Sequence, residues 1–444
     1  MKAKTAIVGG GLMGTTIAWH LAQRTDGLRE AVVVCEKGEI GSGASGRSSA
    51  VLSQIHADIK LAGMARDSLK FYAGFEGRSG RSIGFQPCGV VTLPGKLTPE
   101  ERARFLEQEA AYEAIGIRLE LLDAEGLRRR VPGIAVDSDA VAVFEPDAGF
   151  LDPERAMAAI SALARDTGAV LRTGCEVDEV LIEGGRVVGL ETAQGRVETN
   201  QVVVAAGPWA RSFLSRHGVE LPLRLLRTHQ HHVARPKQCA DGTAGSCPAD
   251  PTDLSQTWIR GFGSQHVGRE VLERDLAERF MDENEERPRH PVIVDREHGV
   301  LVRCEPARDR TRVHDIAKRH SEDVADPEVE ASSTSHSFDA WARAALERRL
   351  PGYRGLATVG SDVSWENHAP DDLPIIGEVE GAEGLWVVTG FGPRGYEFAP
   401  SIGEGMAQLL SGRPVSAFDP QRFTPSRFQV RREDAPAGRR AGAR

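Results

Sequence analysis

The segment that most restricts the fold is Gly9-Gly10-Gly11-Leu12-Met13-Gly14. An apolar run, Thr5-Ala6-Ile7-Val8, precedes it. Residues 12–24 follow, with Ile17 and Leu21, and Ala18 and Ala22, at helical spacing. The order strand, glycine turn, helix gives each glycine a task. Gly9 permits the tight turn, Gly11 lets a diphosphate approach the backbone, and Gly14 lets the helix pack on the strand. The helix start then offers free N–H groups and a positive dipole end to the anion. A second apolar run, 31–35, leads to Glu36, about 20 residues beyond the glycines, where an acid grips a ribose 2′-hydroxyl. This pattern predicts a Rossmann-like, dinucleotide-binding α/β domain. The acid at 36 disfavours a 2′-phosphate and so argues against NADP.

A chain of 444 residues exceeds one ordinary core and suits two domains. Further strand and helix signals support an α/β sheet. Residues 153–167 read as an amphipathic helix, with Met157, Ile160, Leu163 and Ala164 on one face. Residues 176–183 and 186–192 read as two strands around Gly184-Gly185, and 201–206 and 385–389 as buried strands. Residues 98–131 read as helical and charged, and a helix is expected over about 401–410. Between 221 and 350 the strand-like pieces 223–234, 292–294 and 299–303 stand among polar stretches. The predicted fold is therefore an α/β, Rossmann-like dinucleotide-binding domain (1–86, 145–220 and 355–428) plus a discontinuous α+β substrate domain with an antiparallel sheet (87–144 and 221–354). Residues 237–290 are expected to be an insertion, read as a lid, an interface element or a partly disordered stretch, and 429–444 a disordered tail.

Composition narrows the function classes. The formal net charge is −9, from 55 Lys+Arg against 64 Asp+Glu, and aromatics are 6%. No basic stripe with interleaved aromatics is present, so nucleic acid is not an expected partner. Six cysteines without a CxxC pair make no disulfide framework, and the start runs directly into the first strand, so a cytoplasmic setting without a signal peptide is expected. No run reaches the length of a membrane span.

Four motifs carry a family resemblance. They are Ala6-Ile7-Val8-Gly9-Gly10-Gly11; the Ser/Gly-patterned loop 41–50; Val203-Val204-Ala205-Ala206-Gly207-Pro208-Trp209; and Asp372-Leu373-Pro374-Ile375-Ile376-Gly377 with 385–400. The chain resembles the D-amino-acid oxidase/sarcosine oxidase family, which includes glycine oxidase, over nearly its whole length except about 237–290 and the C-terminal tail. The resemblance implies FAD. It implies that Gly9, Gly11, Gly14 and Glu36 hold the ADP half, and Ser45, Arg47 and Ser48 the phosphates and ribityl chain. Val177 and Gly207 would flank the adenine side. Gly392, Pro393, Arg394, Gly395 and Tyr396 would sit near the isoalloxazine. Leu12, Met13, Lys37, Ser42, Ser49, Ala206 and Trp209, in or beside the same motifs, complete the candidate cofactor residues. The serines could instead only make turns, and Arg47 could be a solvated surface charge. Many relatives attach the flavin through Cys or His. Here Trp365-Glu366-Asn367-His368 stands where the family's Cys falls, and the first loop has no His, so noncovalent FAD is expected.

The resemblance also implies hydride removal from a small amine, with oxygen or another acceptor reoxidising the flavin. No general base is obligatory. Relatives anchor a substrate carboxylate with an Arg and a Lys; the matching positions here are Ser53 and Glu397. A Glu beside the substrate repels a carboxylate and attracts a cation. Either the substrate presents a cationic group rather than a free carboxylate, or another Arg anchors it, with Arg394 and Arg303 as candidates. Alternatively Glu397 turns away and pairs with Arg394. Trp365, Glu366 and His368 are further candidate pocket residues, Trp365 also reading as a core aromatic. In His229-Gln230-His231-His232 only His229 and His231 share a strand face, a poor metal site. Cys239 and Cys247 are expected as free thiols, and no metal is expected. Two other readings stay open: an FAD-dependent hydroxy-acid dehydrogenase, and a noncatalytic FAD-holding subunit of a complex.

Overall fold

The structure is a computed structural model and describes residues 1–24, 32–95, 99–236, 290–328 and 334–432, without the side chains of 99 and 101–107. The expected insertion, with Cys239 and Cys247, lies outside the described residues except for His290.

The first sheet places the glycine turn. Among the described residues it has six strands, in the order Ile375–Glu378, Leu385–Thr389, Val202–Val204, Thr5–Val8, Val32–Cys35, Val170–Arg172. Neighbours run parallel except the first pair, which is antiparallel. Thr5–Val8, Val32–Cys35 and Val202–Val204 are buried throughout, which explains their unbroken apolar character. Helix Leu12–Ala22 packs against helices Pro153–Asp166 and Gly395–Leu410. Its crossing with the last helix is close because Gly403 has no side chain: a Cβ there would lie 2.5 Å from Thr16 Cγ2. Helix Pro153–Asp166 starts where Asp152 accepts hydrogen bonds from the Glu154 and Arg155 amides with proline in the first turn, a cap contributing ~1 kcal/mol. The last helix begins at Gly395, six residues before the expected start. Pro400 reads in sequence as a barrier, but the helix continues through it because the packed face, with Phe398, Ile402 and Met406 fully buried, outweighs one lost backbone bond.

The second large sheet carries nine strands among the described residues: Glu322–Asp323, Arg224–Ala234, Arg310–Asp315, Val300–Glu305, Val292–Asp295, Val90–Leu93, Val141–Glu145 and Glu120–Asp123 in that order, with Thr358–His368 pairing with Arg224–Ala234. Its pairs are antiparallel apart from Val292–Asp295 with Val90–Leu93. Two expected boundaries are corrected. Thr358–His368 belongs to this sheet, so the return to the first domain falls after His368 rather than at 355. Residues 429–432 are packed rather than part of a disordered tail: Val430 is buried, and Arg431 and Arg432 bridge to Glu380 and Val219. Residues 98–131 are not continuously helical. Helices Pro99–Ala114 and Ala124–Arg130 flank strand Glu120–Asp123. Among the described residues no helix is long and apolar enough to cross a membrane.

Candidate active site

One cavity of about 1060 Å³ runs between the two large sheets, from the glycine turn to the second sheet. At its first end Glu36 accepts hydrogen bonds from the Gly10 amide (2.7 Å) and the Gly38 amide (2.8 Å). The carboxylate is thereby fixed at the edge of the glycine turn. Gly14 has no room for a Cβ, which would stand 2.0 Å from the Gly9 carbonyl oxygen. Gly9 adopts φ +108°, a region closed to most side chains. Val177, Ala206, Gly207 and Trp209 line the same end. Lys37 Nζ lies 4.2 Å over the Trp209 ring, the Trp209 indole donates to Glu328 (2.7 Å), and Lys37 pairs with Glu328. Glu328 thus ties the second domain to the cradle.

The loop 42–49 forms the middle of the cavity. Ser45 Oγ accepts from the Leu12 amide at the helix start (2.9 Å), and Tyr396 donates to the Ser45 carbonyl (3.0 Å). The loop is held from behind by a buried charge cluster. Arg312 donates to the Arg47 and Ser48 carbonyls (3.1 and 3.2 Å), and Gln230 donates to the Arg47 carbonyl (2.9 Å). Arg303 donates to the carbonyls of Ser49 and Leu151. Arg303, Arg310 and Arg312 all pair with Glu305. Burial pushes the Glu305 carboxyl up, but the three guanidinium charges outweigh it and hold it well below the usual carboxylate range. Burial lowers Arg312 to about 10.

At the far end the cavity meets side chains rather than backbone. Glu397 Oε1 accepts from the Ser53 amide (3.4 Å), and Glu397 Oε2 lies 3.3 Å from His56 Nε2. That approach lacks hydrogen-bond alignment, so both buried atoms keep an unfilled valence. Behind them Glu145, fully buried, accepts from Ser53 Oγ (2.8 Å) and the Gln54 amide (2.6 Å). Burial pushes its carboxyl up to about 7, against those two bonds and with a further push from Glu397. On another wall Glu366 pairs with His368 (2.9 Å), Lys318 (3.7 Å) and His314 (3.8 Å). Burial raises the Glu366 carboxyl, yet the His368 bond and the neighbouring cations bring it below its ordinary value. Burial lowers His314. Trp365 lines the wall between the ends, with Arg47 4.8 Å over its ring and Trp209 at 5.9 Å.

The candidate cofactor residues converge. Gly9, Gly11, Leu12, Met13, Glu36, Lys37, Ser42, Ser45, Arg47, Ser48, Ser49, Val177, Ala206, Gly207, Trp209, Gly392, Pro393, Arg394, Gly395 and Tyr396 all line the cavity. Gly14 does not; it acts one layer behind, through packing. Of the catalytic candidates, Trp365, Glu397 and Arg394 line it and Arg303 does not. Arg303 is corrected from substrate anchor to a brace for the loop, because its guanidinium is buried on Glu305 and two carbonyls. Arg394 does not pair with Glu397, against that alternative; it donates to the Asp372 carbonyl. His231 and His232 pair with different carboxylates, Asp339 (2.9 Å) and Asp362 (2.7 Å). Sequence reasoning did not reach His56, Glu145, Arg296, Lys318 or Glu328. Residues 51–56 alternate in burial but not in residue type, so His56 carried no sequence signal; Glu328 sits in a polar stretch without periodicity.

The cavity fits the implied FAD on three observations: glycine positions that a Cβ would close, a helix start whose N-cap, Gly11, brings no capping side chain, and Thr228 Oγ1 and Asn367 Oδ1, buried in lining residues without hydrogen bonds. Comparisons agree. The family model described as DAO, FAD dependent oxidoreductase, matches residues 4–409. The 4-methylaminobutanoate oxidase (formaldehyde-forming) of Paenarthrobacter nicotinovorans is 26% identical over 430 residues, 95% of this chain and 46% of that protein. Mitochondrial dimethylglycine dehydrogenase of Homo sapiens is 24% identical over 437 residues, 96% of this chain and 44% of that protein. The chain therefore spans about half the length of these curated relatives. Among solved structures, L-proline dehydrogenase from P. horikoshii superposes with a TM-score of 0.76 at 21% identity, covering 96% of this chain and 98% of that one, and supports the fold. With its glycine turn, Glu36 and loop 42–49 gathered on one cavity and the family pattern running through 406 of its residues (4–409), the chain belongs to the DAO family of FAD dependent oxidoreductases.

Proposed function

We propose that this oxidoreductase oxidises the C–N bond of a small amine or amino-acid derivative to an imine, which water hydrolyses. The carrying observation is the Glu397–His56 pair at the cavity end next to 392–396. When bound, FAD supplies the two-electron acceptor for the hydride lost by the carbon next to nitrogen. The protein's part is electrostatic and positional. Glu397 draws an ammonium group into the cavity, and the unfilled valences of Glu397 and His56 are placed to take its proton and leave a neutral amine. Ile55, Val294, Leu301 and Ile316 make apolar wall around that end and limit water there. The names of the two curated relatives, both N-methylated amine enzymes, support the same bond. Cys35, Cys88, Cys175 and Cys304 are free thiols, in keeping with a cytoplasmic setting.

Anaerobic mixing of the flavin-loaded protein with N-methylated amino acids, primary amines and hydroxy acids tests the reading. Bleaching by the amines alone is expected. Bleaching by hydroxy acids alone would assign C–OH oxidation, and bound FAD that nothing reduces would assign a noncatalytic role. Turnover under oxygen against an artificial acceptor then separates oxidase from dehydrogenase.

A further inference from the structure

Oxidation of an ammonium substrate to an iminium ion removes a hydride from carbon and a proton from nitrogen. The hydride goes to the electron acceptor, but the proton has to reach water. Glu397 and His56 are both buried, and their contacts run inward, to Ser53, Glu145 and Tyr112. Glu366, which lines the same cavity, is placed differently. Its Oε2 lies 2.9 Å from His368 Nε2, and His368 Nδ1 lies 3.2 Å from Asp372 Oδ1. The Glu366 and His368 side chains are each 9% exposed, whereas Asp372 is 70% exposed. One imidazole therefore has a carboxylate at each nitrogen, the first facing the cavity and the second facing solvent.

The fold holds the ring in that line. His368 ends the strand Thr358–His368 and bridges to Phe391. The Asp372 amide donates to the Ala369 carbonyl (3.0 Å), a turn that brings Asp372 back beside the ring. Gly392 leaves the ring its space, since a Cβ there would stand 2.8 Å from His368 Cε1. Lys318 Nζ lies 2.9 Å from His368 Nε2, 3.4 Å from Nδ1 and 3.7 Å from Glu366. The two contacts at Nε2 are alternatives. With a proton, Nε2 donates to Glu366; without one, it accepts from Lys318. The ring thus has a partner in either protonation state. Lys318 reaches it from a left-handed backbone, φ +59°, uncommon for a residue with a side chain. The other charged groups nearby have their own contacts. His314 stands 3.8 Å from Glu366, Arg394 donates to the Asp372 carbonyl, and Arg224, beside His368 on the neighbouring strand, pairs with Asp323.

We propose that Glu366, His368 and Asp372 form a proton relay from the cavity to solvent, which carries out the proton that the substrate ammonium gives up. Glu366 collects the proton from the cavity. His368 takes it on Nε2 and releases the proton on Nδ1 to Asp372, which passes it to water. An N–H bond of the ammonium is broken and an O–H bond to water is made, and no electrons travel along the chain. This rests on the amine reading above and adds to it the path of the proton.

The test mixes flavin-loaded protein anaerobically with an amine that bleaches it, in weak buffer with an indicator dye, so that flavin reduction and proton release are followed together. In wild type, proton release is expected to keep pace with reduction. In His368→Gln and Asp372→Asn it should lag behind reduction by at least ~10-fold, and Asp372→Glu, which restores the carboxylate, should recover most of the lag. A purely structural role would slow both signals together or cost the protein its flavin. Proton release that keeps pace with reduction in both variants would overturn the relay and leave the C–N reading intact. If only hydroxy acids bleach the flavin, their O–H proton has to leave the same cavity; a lag in the variants would then sink the C–N reading and keep the relay. Bound FAD that nothing reduces would overturn both. Should His368→Gln lose its flavin, the exposed Asp372→Asn and Asp372→Glu pair decides.

Discussion

The two ends of the cavity are built differently. The adenine end is made mostly of backbone: glycines, a helix start, and a carboxylate clamped by the Gly10 and Gly38 amides. The substrate end is made of side chains from distant segments: His56, Arg296, His314, Lys318, Glu366 and Glu397. A diphosphate needs close amides, which tolerate little change in local sequence. A substrate needs a particular charge pattern, which different segments can supply in different ways. The first end is therefore expected to fail by loss of FAD and the second by change of preference.

The sharpest way to break this contrast is at Gly14. Gly14→Val drives a side chain into the Gly9 carbonyl, and purified protein is expected to contain essentially no flavin, measured by absorbance after denaturation. A flavin-loaded Gly14→Val protein would mean that the turn is not the cradle. Next comes the brace behind the loop. Glu305→Gln leaves Arg303 and Arg312 buried without their counter-charge, and denaturant unfolding should show a loss of about 3–5 kcal/mol. Glu145 gives a pH test. Its carboxyl is raised from 4.5 to about 7, so its contribution to stability is full below pH ~4.5 and is lost as pH rises through about 7. The stability of wild type relative to Glu145→Gln should fall by about 3 kcal/mol between pH ~4.5 and pH ~8. A pH-independent difference would show that Glu145 does not titrate there. The smallest expected effect is at the substrate end. Glu397→Lys should keep its FAD but shift kcat/KM, by about tenfold, toward amines whose carboxylate lies next to the nitrogen. Unchanged preference would place Glu397 outside substrate contact.

The same contrast explains what could be read from sequence. Gly9, Gly11, Gly14 and Glu36 are local: their roles follow from a strand, a turn and a helix within one stretch of chain. The four inner strands of the first sheet were legible because burial makes them continuously apolar, whereas the edge strands Ile375–Glu378 and Val170–Arg172 were not read. The strand Arg310–Asp315 carries buried charge, Arg312 and Asp315, and so looks polar. Thr358–His368 was assigned to the wrong domain because pairing partners are set by tertiary register, not by composition. Arg303 looked available in sequence since nothing local reveals that the Ser49 and Leu151 carbonyls also hold it.

The most direct measurement is the binding of FAD and of FMN to flavin-stripped protein, followed by titration calorimetry. If the glycine turn and Glu36 grip the ADP half, FAD should bind stoichiometrically with the chain and at least ~100-fold more tightly than FMN, a difference of about 2.7 kcal/mol. Equal affinity for FMN, or no uptake of FAD, would contradict the cradle from which every assignment of the site follows.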